Sequence, residues 1–390
     1  MKAPITFSFV FTVLVATTLV FNYRVDPYQL YSGEWSREEP QIDLFWHLRL
    51  HKPYQIERLS PDALILGSSV SGRLEPSLVY PVGQAGYNAS LPGVTMFEAR
   101  RMLEHAAANN AVSSVVLSLE YYMFQEGGET VQPGYADHRL LSPGPGLQQQ
   151  IAWRWQRLLD GWTTLLSGAA LRDSLAKLKG ENRSGRRLSE DGSWRVELSA
   201  KPRPGLFKLM AVQKYREYAP VDPVTAYADF ETLLATAEKA GVRIVLVLSP
   251  YHAYILSTLE QAGHLEAFIA WQRRVSGLAA KYRVPLYSFQ LNPELVLQSL
   301  GARAPGYLDG VHYRSNTARH IGQCLGLLLQ GAQCAGPIRP QLLSTDTLAS
   351  YSEAVRRQPA RYRQMWPEEY AQLSRLLLEK GLPGNTDRRQ

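Results

Sequence analysis

Cysteine is nearly absent from this 390-residue chain: Cys324 and Cys334, ten residues apart, are the whole complement. Two thiols exclude a disulfide-stapled scaffold and leave no cysteine zinc-site spacing. No metal and no cofactor are expected. In an oxidising compartment the two would pair; elsewhere Cys324 would be buried on a helix face and Cys334 free. Long runs of one charge are also lacking. The formal net charge is +7, no nucleic-acid module is recognisable, and the basic balance points instead to membrane lipid or an anionic polymer. With 45% hydrophobic and 20% charged residues, the chain is not disordered.

Only one long apolar run occurs. Ile5 to Phe21 carries no charge, follows Lys2 and stops at Asn22-Tyr23-Arg24. Seventeen residues lie at the short end of a bilayer span. No small-x-small cleavage site follows, so residues 1–24 read as an uncleaved signal anchor, single-pass in the inner membrane with the body exported. A cleaved signal peptide is the alternative.

Beyond a connector over 25–58, short apolar runs alternate with helical periodicity. The runs are Asp62–Leu66, Val82–Asn88, Ser113–Leu119, Val242–Leu248 and Val284–Phe289; the helical stretches are Thr95–Asn109, Thr225–Ala240, Leu265–Tyr282 and Ser315–Leu329. Strands alternating with helices of this length imply βαβ units, hence an α/β domain over 59–334 with a five-stranded parallel sheet of flavodoxin-like order 2-1-3-4-5. Residues 125–222 interrupt the pattern as a helical insertion, with two amphipathic helices over Leu147–Leu178 and a turn at Asp191-Gly192-Ser193-Trp194. Between 151 and 210 twelve Lys or Arg face six Asp or Glu, nearly the whole basic excess. Such a surface suits either solvent or an anionic glycan or headgroup. Residues 335–390 read as a helical tail.

The candidate chemistry sits where strands should end. Gly67-Ser68-Ser69 follows the first run, where a sharp turn into a helix would present Ser69 at the C-terminal edge of a parallel sheet. Asp309-Gly310-Val311-His312 follows the fifth run, and a carboxylate three residues before an imidazole can orient it as a general base.

Together these residues resemble the GDSL/SGNH hydrolase superfamily. Gly67-Ser68-Ser69 is similar to its first block, and Tyr87-Asn88-Ala89-Ser90-Leu91-Pro92-Gly93 to its second. Asp309 and His312 match its last block. The resemblance implies a three-layer fold and a Ser69–His312–Asp309 triad, with the backbone N–H groups of Ser69 and Gly93 facing an oxyanion. The third block, Gly-x-Asn, is missing; Glu120-Tyr121-Tyr122 stands in its place. Tyr121 or Tyr122 would then donate to the oxyanion or pack at the strand end. Arg73, Asn88 and His252 are further candidates for binding substrate, His252 by pointing into the same crevice. The pattern as a whole resembles anchored relatives of the proteins of exopolysaccharide O-acetylation and teichoic-acid D-alanylation. That implies an O-acyltransferase acting on a cell-envelope glycan beside a multispan membrane-bound O-acyltransferase. An esterase of the same type and a non-catalytic scaffold in a polysaccharide-export assembly are the alternatives.

Overall fold

The computed structural model describes residues 2–31, 44–125, 131–140, 146–181, 186–196, 201–218, 224–302, 306–334 and 336–382. The chain forms two compact units.

The larger unit comprises Pro61–Leu103, Val112–Gln132 and Leu198–Gln390. Its sheet contains β1 (Ala63–Leu66), β2 (Gly86–Asn88), β3 (Ser114–Leu119), β4 (Arg243–Leu248), β5 (Leu286–Ser288) and β6 (Gln341–Leu342). The order is β2-β1-β3-β4-β5-β6. The first five strands pair in parallel, with Leu66 opposite Leu117 and Leu117 opposite Leu246 in the central three. Every residue of β1 and β3, and all of β4 beyond Arg243, is buried. Burial at consecutive positions means that both faces of the sheet are covered, because successive side chains point to opposite faces. Continuous apolar runs, rather than alternating ones, therefore mark these strands.

The sheet has six strands where five were expected. The sixth, β6, runs antiparallel to β5, and lies within the segment 335–390 read as a helical tail. Only two residues form it, too few to display a period of two. Leu343 just beyond it donates its N–H to the Leu286 carbonyl at 2.9 Å, capping the β5 edge that would otherwise be open. The helices Met96–Asn109, Val224–Ala240, Leu265–Lys281 and Ser315–Leu329 follow the periodic stretches closely.

The smaller unit comprises Met1–Ser60, Glu104–Ala111 and Pro133–Glu197. Helix α1 (Lys2–Val25) contains a 20-residue stretch, Thr6–Val25, long and apolar enough to cross a membrane or serve as a signal anchor. The helix continues past the apolar run to Val25, and Asn22 within this last turn is buried and bonded through both ends of its amide. Helix α2 (Leu48–Leu59) lies in the stretch read as a connector, while α3 (Leu147–Leu165) and α4 (Gly168–Leu178) occupy the two amphipathic stretches. A hairpin, Arg186–Leu188 with Trp194–Val196, turns through Asp191 and Gly192. The segment 125–222, read as a helical insertion, thus carries a β-hairpin as well. Its described residues are divided between the two units.

Cys324 and Cys334 form a disulfide with a Cα–Cα separation of 4.9 Å, tying the end of the helix Ser315–Leu329 to the turn after it. Closing a loop of about ten residues stabilises by roughly 2–3 kcal/mol in the chain-entropy account. The Cys324→Ala/Cys334→Ala variant should lose about that much in urea unfolding, and thiol-blocking mass spectrometry of the wild type should find no alkylated cysteine.

Candidate active site

Parallel pairing sends the C-terminal ends of β1, β3, β4 and β5 to one edge of the sheet, and the candidate residues of the larger unit gather there. Ser69 leaves β1 through Gly67, whose φ of +146° favours glycine. A Cβ at Gly67 would strike the Ser71 side chain and approach Ser118 on β3 to 2.9 Å. Any larger residue would push the turn off the neighbouring strand. A short 3-10 turn, Ser71–Arg73, follows Ser69 in place of the expected helix. The Gly72 N–H reaching the Ser68 carbonyl and the Leu74 N–H reaching Ser71 close the turn within three or four residues.

Asp309 and His312 come from a loop closed by the Tyr307–Tyr313 bridge and by Leu308 N–H donating to the His312 carbonyl at 2.8 Å. Gly310 occupies the tip with φ +90°, and a Cβ there would lie 2.9 Å from Ile255. Its carbonyl accepts the His252 N–H at 2.8 Å, which holds the loop to the end of β4.

Ser69 and His312, 243 residues apart in sequence, meet with Oγ and Nε2 at 2.7 Å. His312 Nδ1 lies 2.7 Å from Asp309 Oδ2, while Asp309 Oδ1 accepts the backbone N–H groups of Val311 and His312 at 3.0 and 2.8 Å. A carboxylate facing Nδ1 requires that nitrogen to carry the proton, so Nε2 is left to accept from the Ser69 hydroxyl. Burial alone would push Asp309 up; the His312 charge, its hydrogen bond and the two amides outweigh burial and hold the carboxyl below its ordinary range. The side chains of His312 and Asp309 keep 23% and 15% of their surface exposed, which leaves the pair reachable from solvent.

Other candidates brace this arrangement. Arg73 donates from Nη1 to the Tyr313 carbonyl at 2.8 Å, joining the serine turn to the residue after His312. Asn88 is buried, donates to the Ser71 and Leu74 carbonyls and accepts from the Ser90 N–H. The expectation that His252 points into the crevice is corrected. Its Nδ1 accepts the Tyr254 N–H, capping the helix Ala253–Ala262, and its Nε2 faces the Gln298 carbonyl. Burial lowers its pKa to about 3, so it stays neutral. Tyr121 packs edge-on against Tyr218 and Phe268, and the Tyr122 hydroxyl is given to the Val94 carbonyl. Gly93 lies in the loop after β2 with φ +62°. That loop is fastened to the serine turn by Leu91 N–H donating to the Gly67 carbonyl at 2.9 Å.

Sequence reasoning passed over Glu120 itself. It stands at the end of β3, fully buried, and accepts a hydrogen bond from Ser68, whose oxygen in turn receives the Val70 N–H. Ser68 therefore faces inward against an acid while Ser69 faces His312. Burial pushes the Glu120 carboxyl up to about 7, against the Ser68 hydroxyl and the charges of His312 and Lys214. The available signal was a lone acid directly after an unbroken apolar strand, in the place of an absent asparagine.

No protein-family model matches this chain, and no curated protein matches it. Among solved structures, a protein from Bacteroides fragilis to which acylhydrolase activity is ascribed aligns over 73% of this chain and 95% of its own, at 11% identity and a TM-score of 0.34. A superposition that loose carries no weight for fold or chemistry.

A carboxyl whose folded pKa is raised favours the neutral form. Its contribution to stability is full in acid and is lost as pH rises from the ordinary carboxyl range through about 7. The span corresponds to a few kcal/mol. Glu120→Gln should remove that slope, so calorimetric melting of wild type should fall more steeply with pH than that of the variant, and parallel curves would refute the buried neutral acid.

Proposed function

We propose that the larger unit is an SGNH-type serine acyltransferase, with Ser69 as nucleophile, His312 as general base and acid, and Asp309 as its orienting carboxylate. The observation that carries this reading is the unbroken chain of 2.7 Å contacts from Ser69 Oγ through His312 to Asp309. A serine whose hydroxyl faces an imidazole nitrogen can surrender its proton to it as Oγ attacks an acyl carbonyl. His312 then returns that proton to the leaving oxygen, and Ser69 holds the acyl group as an ester. An acceptor hydroxyl, deprotonated by the same nitrogen, completes the transfer. Backbone N–H groups of Ser69 and Gly93 are the proposed oxyanion donors.

Glu120 occupies the place of the Gly-x-Asn block, and its carboxyl group accepts from Ser68. Loss of one oxyanion donor costs about 2.7–4 kcal/mol of transition-state stabilisation. A slow enzyme that holds its acyl group for a bound acceptor tolerates that loss better than a fast esterase. The proposed acceptor is a hydroxyl of a cell-envelope glycan outside the inner membrane. A multispan membrane-bound O-acyltransferase is the proposed acyl source. The apolar α1 and the basic excess over 151–210 support this placement.

A fluorophosphonate probe should label the wild type at Ser69. Ser69→Ala and His312→Ala should abolish labelling, since members of one catalytic unit are not additive. Asp309→Asn should slow it by roughly 10⁴-fold, the cost of the wrong imidazole tautomer. Ser68→Ala should still label at Ser69. Failure of the folded wild type to react would favour the scaffold; an acyl-Ser69 ester formed from an activated acyl donor that passes to water faster than to a glycan acceptor would favour the esterase.

A further inference from the structure

Helix α3 is built inside out for a protein in water. Leu147, Ile151, Trp155, Leu158 and Trp162 recur at intervals of three and four, so they lie on one stripe. All are exposed, Trp155 by 61% and Trp162 by 54%. The opposite side carries the polar groups and faces inward. There Asp160, 6% exposed, accepts from Tyr54 at 2.7 Å and from Arg139, and meets His138 at 2.9 Å. Arg157, on the same side, pairs with Glu57. The next helix repeats the arrangement: Leu171, Leu175 and Leu178 of α4 are exposed while Ala170 and Ser174 are buried. An apolar patch of this extent marks a contact surface rather than a solvated face.

The same helices are fastened to the end of the apolar α1, within one compact unit. Buried Asn22 donates to the Leu165 carbonyl, the last residue of α3, and accepts from Ser174 of α4 at 2.8 Å. Lys177 donates to the Val25 carbonyl at 2.9 Å, and Tyr28 to Asp173 at 2.7 Å. These bonds hold the α3–α4 junction at the level where α1 ends. If α1 spans a bilayer, that level is the bilayer surface, where the rings of tryptophan are favoured.

We infer that α3 and α4 form an interfacial membrane-binding element, whose stripe of Ile151, Trp155, Leu158 and Trp162 inserts into the outer boundary of the bilayer that α1 crosses. The inference rests on the anchor reading of α1. The continuity of the patch with the end of α1 selects lipid as the occupant, and exposed Arg154, Arg172 and Lys179 beside it suit anionic headgroups. The helix of 19 residues is about 28 Å long, and its outward apolar stripe runs most of that length. A single span leaves a domain free to swing; this second contact removes that freedom.

The test uses the full chain reconstituted into vesicles of phosphatidylcholine and phosphatidylglycerol, with and without phosphatidylcholine brominated near the headgroup. Brominated lipid should quench the tryptophan emission of wild type, and Trp155→Phe/Trp162→Phe should lose a clear part of that quenching, the exposed Trp46 beside α4 keeping the rest. Both rings are exposed, so the variant should melt like wild type in detergent. Flotation after an alkaline wash reports the anchor separately. Vesicles that float with the protein but quench wild type and variant equally, or neither, would overturn the interfacial element; a face reserved for a protein partner gives this result. Wild type that fails to float would overturn the anchor and the inference together.

Discussion

Parallel register between β1, β3 and β4 is the constraint on which the candidate site depends. Because the strands run the same way, the segments leaving Leu66, Leu119 and Leu248 emerge at one edge. Ser69, Glu120 and the Ser249–His252 turn are therefore neighbours by topology before any side chain is considered. The Gly67 turn then decides which of two adjacent serines faces outward. Its close approach to Ser118 leaves room for a backbone and nothing more, so the chain bends at a fixed point. Ser68 turns into the interior and Ser69 away from it.

The loop that carries Asp309 and His312 is held by a different kind of force. Its apolar residues Leu308, Val311 and Tyr313 are buried, and hydrogen bonds from the Leu308 and His252 N–H groups and from the Arg73 side chain fix its path. Asp309 has two duties there, bonding the imidazole with one oxygen and the amides of its own turn with the other. The same carboxylate thus shapes the loop and orients the histidine, so its removal would disturb both. Behind the serine turn, the buried Glu120 adds a second acid with the opposite tendency, toward the neutral form. Two carboxyl groups near one imidazole, one pushed down and one pushed up, divide the labour by environment rather than by residue type.

The smaller unit follows a separate logic. Its polar contacts cluster on the inner side of α3 and at the end of α1, and its apolar side chains are turned out. In water such a helix is unfavourable; the proposed lipid contact removes that cost, and bonds of Asn22, Lys177 and Tyr28 tie the end of α1 to α3 and α4.

Much of the larger unit was legible in the sequence. The unbroken apolar runs before Gly67, Glu120 and Ser249 mark these strands as covered on both faces, and their alternation with periodic stretches implies parallel pairing. Gly67-Ser68-Ser69 and Asp309-x-x-His312 were also visible as a pair, being local motifs at predicted strand ends. What only the tertiary structure decided are relations between distant residues. The two-residue β6 has no period to read. Glu120 is ordinary in sequence and becomes singular when burial strips its water and leaves it Ser68. His252 reads as a site residue until its two nitrogens are found on backbone groups. The outward stripe of α3 is periodic in either orientation, and periodicity states that a helix has two faces. Which of them faces the protein is set by Tyr54, His138 and Arg139, which come from other segments to surround Asp160.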